Sequence, residues 1–189
     1  MRWLLALALV GGLVATGATM ALDQQQEDVL TTIDTVPSKT LYESLPQMPL
    51  DQTDLETIAA DGSASPAFRL RAIYALSTYC AAPCSSTDPA HVTLANLITA
   101  YGAAQSGSDL LILRGAAEAI GPMQVPGDLD ALTALLNHPS RDIRATAALA
   151  LGALCNGSAT SALHQRLQNE STDQVKLAIS AALQVLPCP

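Results

Sequence analysis

The chain is expected to fold as an all-α superhelix of about four stacked helix pairs. Three observations predict this. First, an apolar stripe with steps of four, four and three residues runs through Phe68, Ala72, Leu76 and Tyr79. It recurs at Ile112/Ala116/Ile120/Met123, Ile143/Ala147/Leu151/Leu154 and Val175/Ile179/Leu183/Leu186. Those steps keep the four side chains on one face of an α-helix. Second, the copies begin 44, 31 and 32 residues apart, an interval typical of stacked repeats. Third, a second helix-forming segment precedes each stripe. Each pair therefore carries two facing apolar stripes, which are buried only when pairs stack.

The elements follow in order. Met1 and Arg2 supply one positive charge, and Trp3–Gly17 is uncharged and mostly apolar. Thr19-Met20-Ala21 fits a small-x-small cleavage site, with Thr16-Gly17-Ala18 as the second choice. This is the layout of a secretory signal peptide over residues 1–21. An uncleaved membrane anchor is the alternative, because Trp3–Leu22 is 20 uncharged residues, nominally enough to span a bilayer. Gly11, Gly12, Thr16, Gly17 and Thr19 weaken it, and no basic cluster follows. No cysteine lies near the cleavage region, so a bacterial lipoprotein anchor is not supported.

Residues 22–50 form an acidic linker or an N-terminal strap over the first repeat, rich in Asp, Gln, Thr and Ser, with Pro37, Pro46 and Pro49. The repeat complement lies outside this segment, so deleting residues 22–48 is expected to leave the repeat body folded. Val29, Leu30, Ile33 and Leu41 oppose that expectation, because they would give the segment an apolar face suited to capping the stack. The repeat domain spans residues 51–189. Its first pair is expected at Asp51–Ala60 and Ala67–Tyr79, with a turn through Asp61-Gly62-Ser63. The second is His91–Ala104 and Asp109–Pro122. The third is Asp128–Asn137 and Arg141–Leu154. The fourth is Ser158–Gln168 and Asp173–Leu186. Ser140 and Thr172 are suited to cap the second helices of the last two pairs.

Charge narrows the partners. Residues 22–61 hold nine acids and only Lys39, whereas residues 62–189 hold eight acids and seven bases. Losing Arg2 with the signal takes the net charge from −8 to −9. The acidity belongs to the lead segment, and no basic footprint for phosphate is present. No nucleic acid is expected as partner, nor a membrane once the signal is removed. Trp3 is the sole Trp, so a base-stacking platform or aromatic cage is not expected in the mature chain.

The segment HPSRDIRATAALALGALC resembles the short HEAT-like repeat of the class called PBS-lyase-type, through Arg144, Ala147, Ala148, Leu151 and Gly152. TDQVKLAISAALQVL is a second copy with Lys176 in the arginine slot, and AFRLRAIYALS a third with Arg69 there. The second repeat departs: Leu113 takes the slot and Arg114 follows it. The resemblance covers about residues 50–187 and implies a scaffold or protein-binding role. It also implies that Arg69, Arg114, Arg144 and Lys176 form a structural polar ladder between neighbouring turns. Asp142 and Asp173 are close enough in sequence to share it.

No catalytic, cofactor-binding or metal-binding residue is expected. His91, His138 and His164 stand singly, without metal-motif spacing. No Gly-x-Ser-x-Gly elbow surrounds any Ser, and the acids of residues 22–61 lack the calcium-loop spacing. The four cysteines are read as disulfides of an exported protein. Cys80 and Cys155 lie two repeats apart, too far to pair given ~8–10 Å per helix layer. Cys155 and Cys188 end second helices of adjacent repeats and Cys80-Ala-Ala-Pro-Cys84 can close on itself, so Cys80–Cys84 and Cys155–Cys188 are expected. The function expected is an exported interaction scaffold, periplasmic, at the cell envelope or extracellular, with an unidentified protein partner. The alternatives are an envelope spacer and a subunit related to the lyase-type proteins. A large apolar surface patch would favour the first, an even polar surface the second, and a deep pocket with converging acids or histidines the third.

Overall fold

The computed structural model describes residues 30, 39–43, 50–186 and 188. Among them there is no strand. The segment expected to be a signal peptide lies outside the described residues. A short helix, α1 (Lys39–Glu43), precedes eight repeat helices: α2 (Gln52–Ala60), α3 (Pro66–Leu76), α4 (Pro89–Tyr101), α5 (Gly107–Ile120), α6 (Leu129–Leu135), α7 (Arg141–Ala153), α8 (Ala159–Asn169) and α9 (Asp173–Val185). No helix among the described residues is long and apolar enough to cross a membrane.

Local chemistry sets the helix starts. Asp51 accepts the Asp54 amide while the Asp54 side chain accepts the Asp51 amide, a reciprocal cap that opens α2. Asp88 accepts the Ala90 amide ahead of Pro89 at the first position of α4, where proline's fixed φ suits a helix and its missing donor costs nothing. Pro66 has the same place in α3. Ser140 and Thr172 do occupy the cap positions of α7 and α9, but neither side chain caps. The Thr172 hydroxyl instead accepts from Arg144 Nη2 at 3.4 Å. The third leading helix is shorter than expected: Pro126–Asp128 form a 3-10 turn, and α6 closes at Leu135.

The stripes form the core. Ala72, Leu76, Ile112, Ala116, Ile143, Ala147, Leu151, Val175 and Ile179 are fully buried, and Ile120, Met123 and Leu154 nearly so. Only the ends of the stack relax: Phe68, Tyr79, Leu183 and Leu186 are half-buried, as expected where a repeat has one neighbour. Each fully buried Leu or Ile contributes about 1.5–3 kcal/mol relative to exposure.

The second helices α3, α5, α7 and α9 form a tight inner layer, each packed on the next; the leading helices contact one another much less. Glycine permits the closest approaches. A Cβ on Gly121 would sit 2.6 Å from the Ala150 carbonyl oxygen. One on Gly152 would sit 3.0 Å from Ala182 Cα. Gly152 is the Gly of the Leu-Gly phrase that carried the family resemblance.

The lead segment joins this core. Leu30 and Leu50 are fully buried in the same cluster as the repeat stripes. The Lys39 ammonium lies 4.7 Å from the Tyr79 ring centroid, and the Tyr79 hydroxyl donates to the Leu50 carbonyl at 3.4 Å. The expected independence of the repeat body from residues 22–48 conflicts with this packing, because deletion would remove Leu30 from the core.

Candidate functional site

The residues that join repeats are built first, since they hold the surface in shape. Arg69 is buried. Its Nε donates to the Ala59 carbonyl at 3.0 Å and its Nη2 to the Tyr101 hydroxyl at 3.1 Å. It thus satisfies an open carbonyl at the end of α2 and reaches α4 of the next repeat. Its guanidinium lies 5.4 Å from the Tyr101 ring centroid.

Between the third and fourth repeats the hub is Glu170. Arg144 donates to it through Nε at 2.8 Å and Nη2 at 3.1 Å. Arg166 adds bonds at 3.0 and 2.6 Å, and the amides of Ser171 and Thr172 donate at 3.0 and 2.9 Å. Arg144 Nη1 also donates to the carbonyls of His138 and Pro139. The Arg144 guanidinium, foremost among these donors, holds the Glu170 carboxyl far below the usual carboxylate range.

The other expected ladder residues lie differently. Asp142 does not bond Arg144; it is exposed, pairs with Arg141 at 3.8 Å, and accepts from Gln174 across the junction at 3.3 Å. Asp173 pairs with Lys176 at 3.6 Å within α9. Arg114 is exposed, with no hydrogen bond or ion pair to a described residue. Leu113, in the slot itself, is fully buried. The carboxylate that serves Arg144 is therefore Glu170, at the close of α8, and not Asp142 or Asp173.

His91 and Asp128 make a third junction. His91 Nδ1–H donates to the Ser86 carbonyl at 3.2 Å, which turns Nε2 toward both Asp128 oxygens at 2.9 and 3.0 Å. Both residues are buried. Burial raises the Asp128 carboxyl above its ordinary value, and the His91 bond opposes this. The pair ties the start of α4 to the turn before α6. With both ring nitrogens engaged, His91 has no nitrogen left for a substrate or metal. His164 is exposed, and His138 accepts the Ser140 amide through Nδ1 while its Nε2 has no hydrogen-bond partner among the described residues.

Both disulfides are present: Cys80–Cys84 and Cys155–Cys188, with Cα separations of 5.5 and 5.2 Å. Cys84 donates its amide to the Met123 carbonyl at 2.8 Å, so the small loop also leans on the second repeat. Cys155–Cys188 joins the end of α7 to the tail after α9, and Gln124 Nε2 donates to Cys155 Sγ at 3.3 Å. The Cys80 and Cys84 sulfurs and an Asp88 carboxylate oxygen lie within 4.8 Å of one another, but the sulfurs are committed to each other.

The surface these junctions hold is asymmetric. Among the described residues, five large apolar side chains are exposed: Val92, Leu111, Leu149, Leu177 and Val185. All but Val92 project from second helices. Leu149 stands between two grooves. One, of about 260 Å³, lies between α5 and α7 beside Arg114 and Glu118. The other, of about 420 Å³, lies between α7 and α9 over Gly152, Ala181 and Val185, beside the Cys155–Cys188 bond. At the other end of the ridge the Tyr74 hydroxyl donates to Glu118 at 2.9 Å. Burial, with help from Glu118, pushes its pKa up to about 12. A groove of about 520 Å³ lies on the opposite side, between α4 and α6, with His138 in its wall. None of these three grooves brings several acids or histidines together.

Residues 94–184 match the family model of HEAT repeats. This is a HEAT-like repeat protein. No curated protein matches the chain. The matched region runs from α4 to α9 and so covers the second to fourth repeats. HEAT repeats generally mediate protein interactions, and in this HEAT-like protein the exposed apolar surface lies on the second-helix ridge. Sequence reading missed Glu170 and the His91–Asp128 pair. The latter joins residues 37 apart, beyond any local spacing rule. Glu170 carried one signal, its place at the end of α8, four residues after Arg166.

Proposed function

We propose that the protein is an exported, non-catalytic interaction scaffold whose second-helix ridge contacts a protein partner. The observation that carries this reading is the placement of Leu111, Leu149, Leu177 and Val185. Four exposed large apolar side chains on one ridge mark an interaction surface, whereas scattered single ones carry no such meaning. Leu149, between two grooves floored by small residues, supplies an anchor of the kind that dominates binding energy when buried by a partner.

Export is supported by the two disulfides and the absence of free cysteines among the described residues, which suit an oxidising compartment. The N-terminal segment, taken as a strap through residue 50, serves as the cap of the first repeat, a role supported by the burial of Leu30 and Leu50 in the core. The test is capture from the organism's own envelope and secreted fractions, using the mature protein and its Leu149→Glu variant at matched folding. Wild type retains a specific protein partner and Leu149→Glu loses it. Equal capture by both would refute the ridge as the binding surface.

A further inference from the structure

Aligning the four second helices on Phe68, Ile112, Ile143 and Val175 reveals two rows along the ridge. Two residues after these positions stand Leu70, Arg114, Ala145 and Leu177. Six residues after them stand Tyr74, Glu118, Leu149 and Ala181. In each helix the two rows are four residues apart, so they occupy one face. The rows complement each other at three of the four levels. Arg114 opposes Glu118 in charge. Small Ala145, only 7% exposed, lies in the floor beside large Leu149, and large Leu177 matches small, exposed Ala181. At the first level Leu70 and Tyr74 are both large and half-buried.

From this we infer that the ridge's partner is a second copy of the same chain, joined by a two-fold axis that runs along the stack. This rests on the ridge being the binding surface. A two-fold axis in that direction sets each second helix antiparallel to its own counterpart. Each row then meets the opposite row of the other copy. Arg114 faces the partner's Glu118, and the pair forms twice. Leu149 lies over the partner's Ala145, and Leu177 over the partner's Ala181. Contact with a second copy would cover Leu149 and Leu177, which are 51% and 71% exposed in the single chain. It would also give Arg114, which is exposed with no ion pair to a described residue, a carboxylate to meet. Apolar contact supplies the affinity, and the reciprocal charges fix the register.

Sedimentation equilibrium of the protein over a wide concentration range tests this. Wild type associates to twice the chain mass. Leu149→Glu, Arg114→Glu and Glu118→Arg each raise the dissociation constant by at least ~10-fold, and the Arg114→Glu/Glu118→Arg double variant returns it to near the wild-type value. Circular dichroism verifies that each variant is folded. A monomer at every concentration would overturn the inference, as would a dimer indifferent to these changes or a double variant no tighter than the singles. A monomeric wild type that still captures an envelope protein through Leu149 would overturn the second copy alone and leave the ridge as a binding surface.

Discussion

Arg144 and Glu170 meet across the junction of the third and fourth repeats, with Nε 2.8 Å from Oε2. The Glu170 side chain is 1% exposed. It accepts from two arginines and two backbone amides, so its charge is fully matched by donors. Removing that charge strands Arg144 and Arg166 in a partly dry site. Breaking such a pair costs about 3–5 kcal/mol, far more than a surface ion pair.

Glu170→Gln should therefore destabilise the protein by about 3 kcal/mol in denaturant unfolding. The pH dependence follows from the depressed folded pKa. Stability from Glu170 is complete above its ordinary value of 4.5. It falls as pH drops below that, because the unfolded chain takes up a proton that the folded chain refuses. Wild-type stability should decline from about pH 4.5 downward, and the Glu170→Gln variant should lose less over the same range.

Cys188→Ser should loosen the last helix pair before the rest of the stack. The bond closes a 33-residue separation, for which chain entropy gives on the order of 3–4 kcal/mol. A terminal repeat has a single stacking neighbour, so the loss falls on α8 and α9. Hydrogen exchange should accelerate there first, and the Cys155 thiol should become reactive.

Gly121→Ala should cost about 1–3 kcal/mol despite the better helix propensity of alanine. Its Cβ would meet the Ala150 carbonyl oxygen at 2.6 Å and Cα at 2.8 Å. These are backbone atoms, so relief requires α5 and α7 to move apart. Gly62→Ala, where nothing lies within 4 Å, is the matched control and should change the melting temperature little.

How far these features could be read beforehand depended on their range. The four stripes were legible because repeat contacts are short in sequence and obey one helical period; Ile143, Ala147, Leu151 and Leu154 are buried as their spacing required. The pairing of Cys155 with Cys188 was legible because repeat geometry left few alternatives. Ser140 and Thr172 were placed correctly, but their side chains do not cap, since propensity reports position and not the competing donors nearby. Arg144 was recognised, while its carboxylate was assigned to neighbours in sequence. Glu170 wins because it is buried at the junction, whereas Asp142 is exposed. The ridge pattern became visible only once burial distinguished Leu149 from its equally apolar neighbours.

Deleting residues 22–48 should destabilise the first repeat, since it uncovers the core that Leu30 seals. Removing one fully buried leucine side chain alone costs about 2–5 kcal/mol. The truncated protein should melt at lower temperature, with α2 and α3 losing exchange protection first. An unchanged melting transition would show instead that the repeat body stands without its lead.

The ridge is tested most directly by photo-crosslinking within the exported protein. A photoreactive residue at position 149 should capture the partner, whether a second copy or another protein, and one at position 92 should not. Val92 is the matched probe, because it is also exposed and apolar, 40% against 51%, but lies on a leading helix. Crosslinks at 92 with none at 149 would contradict the account and move the binding surface to the opposite face.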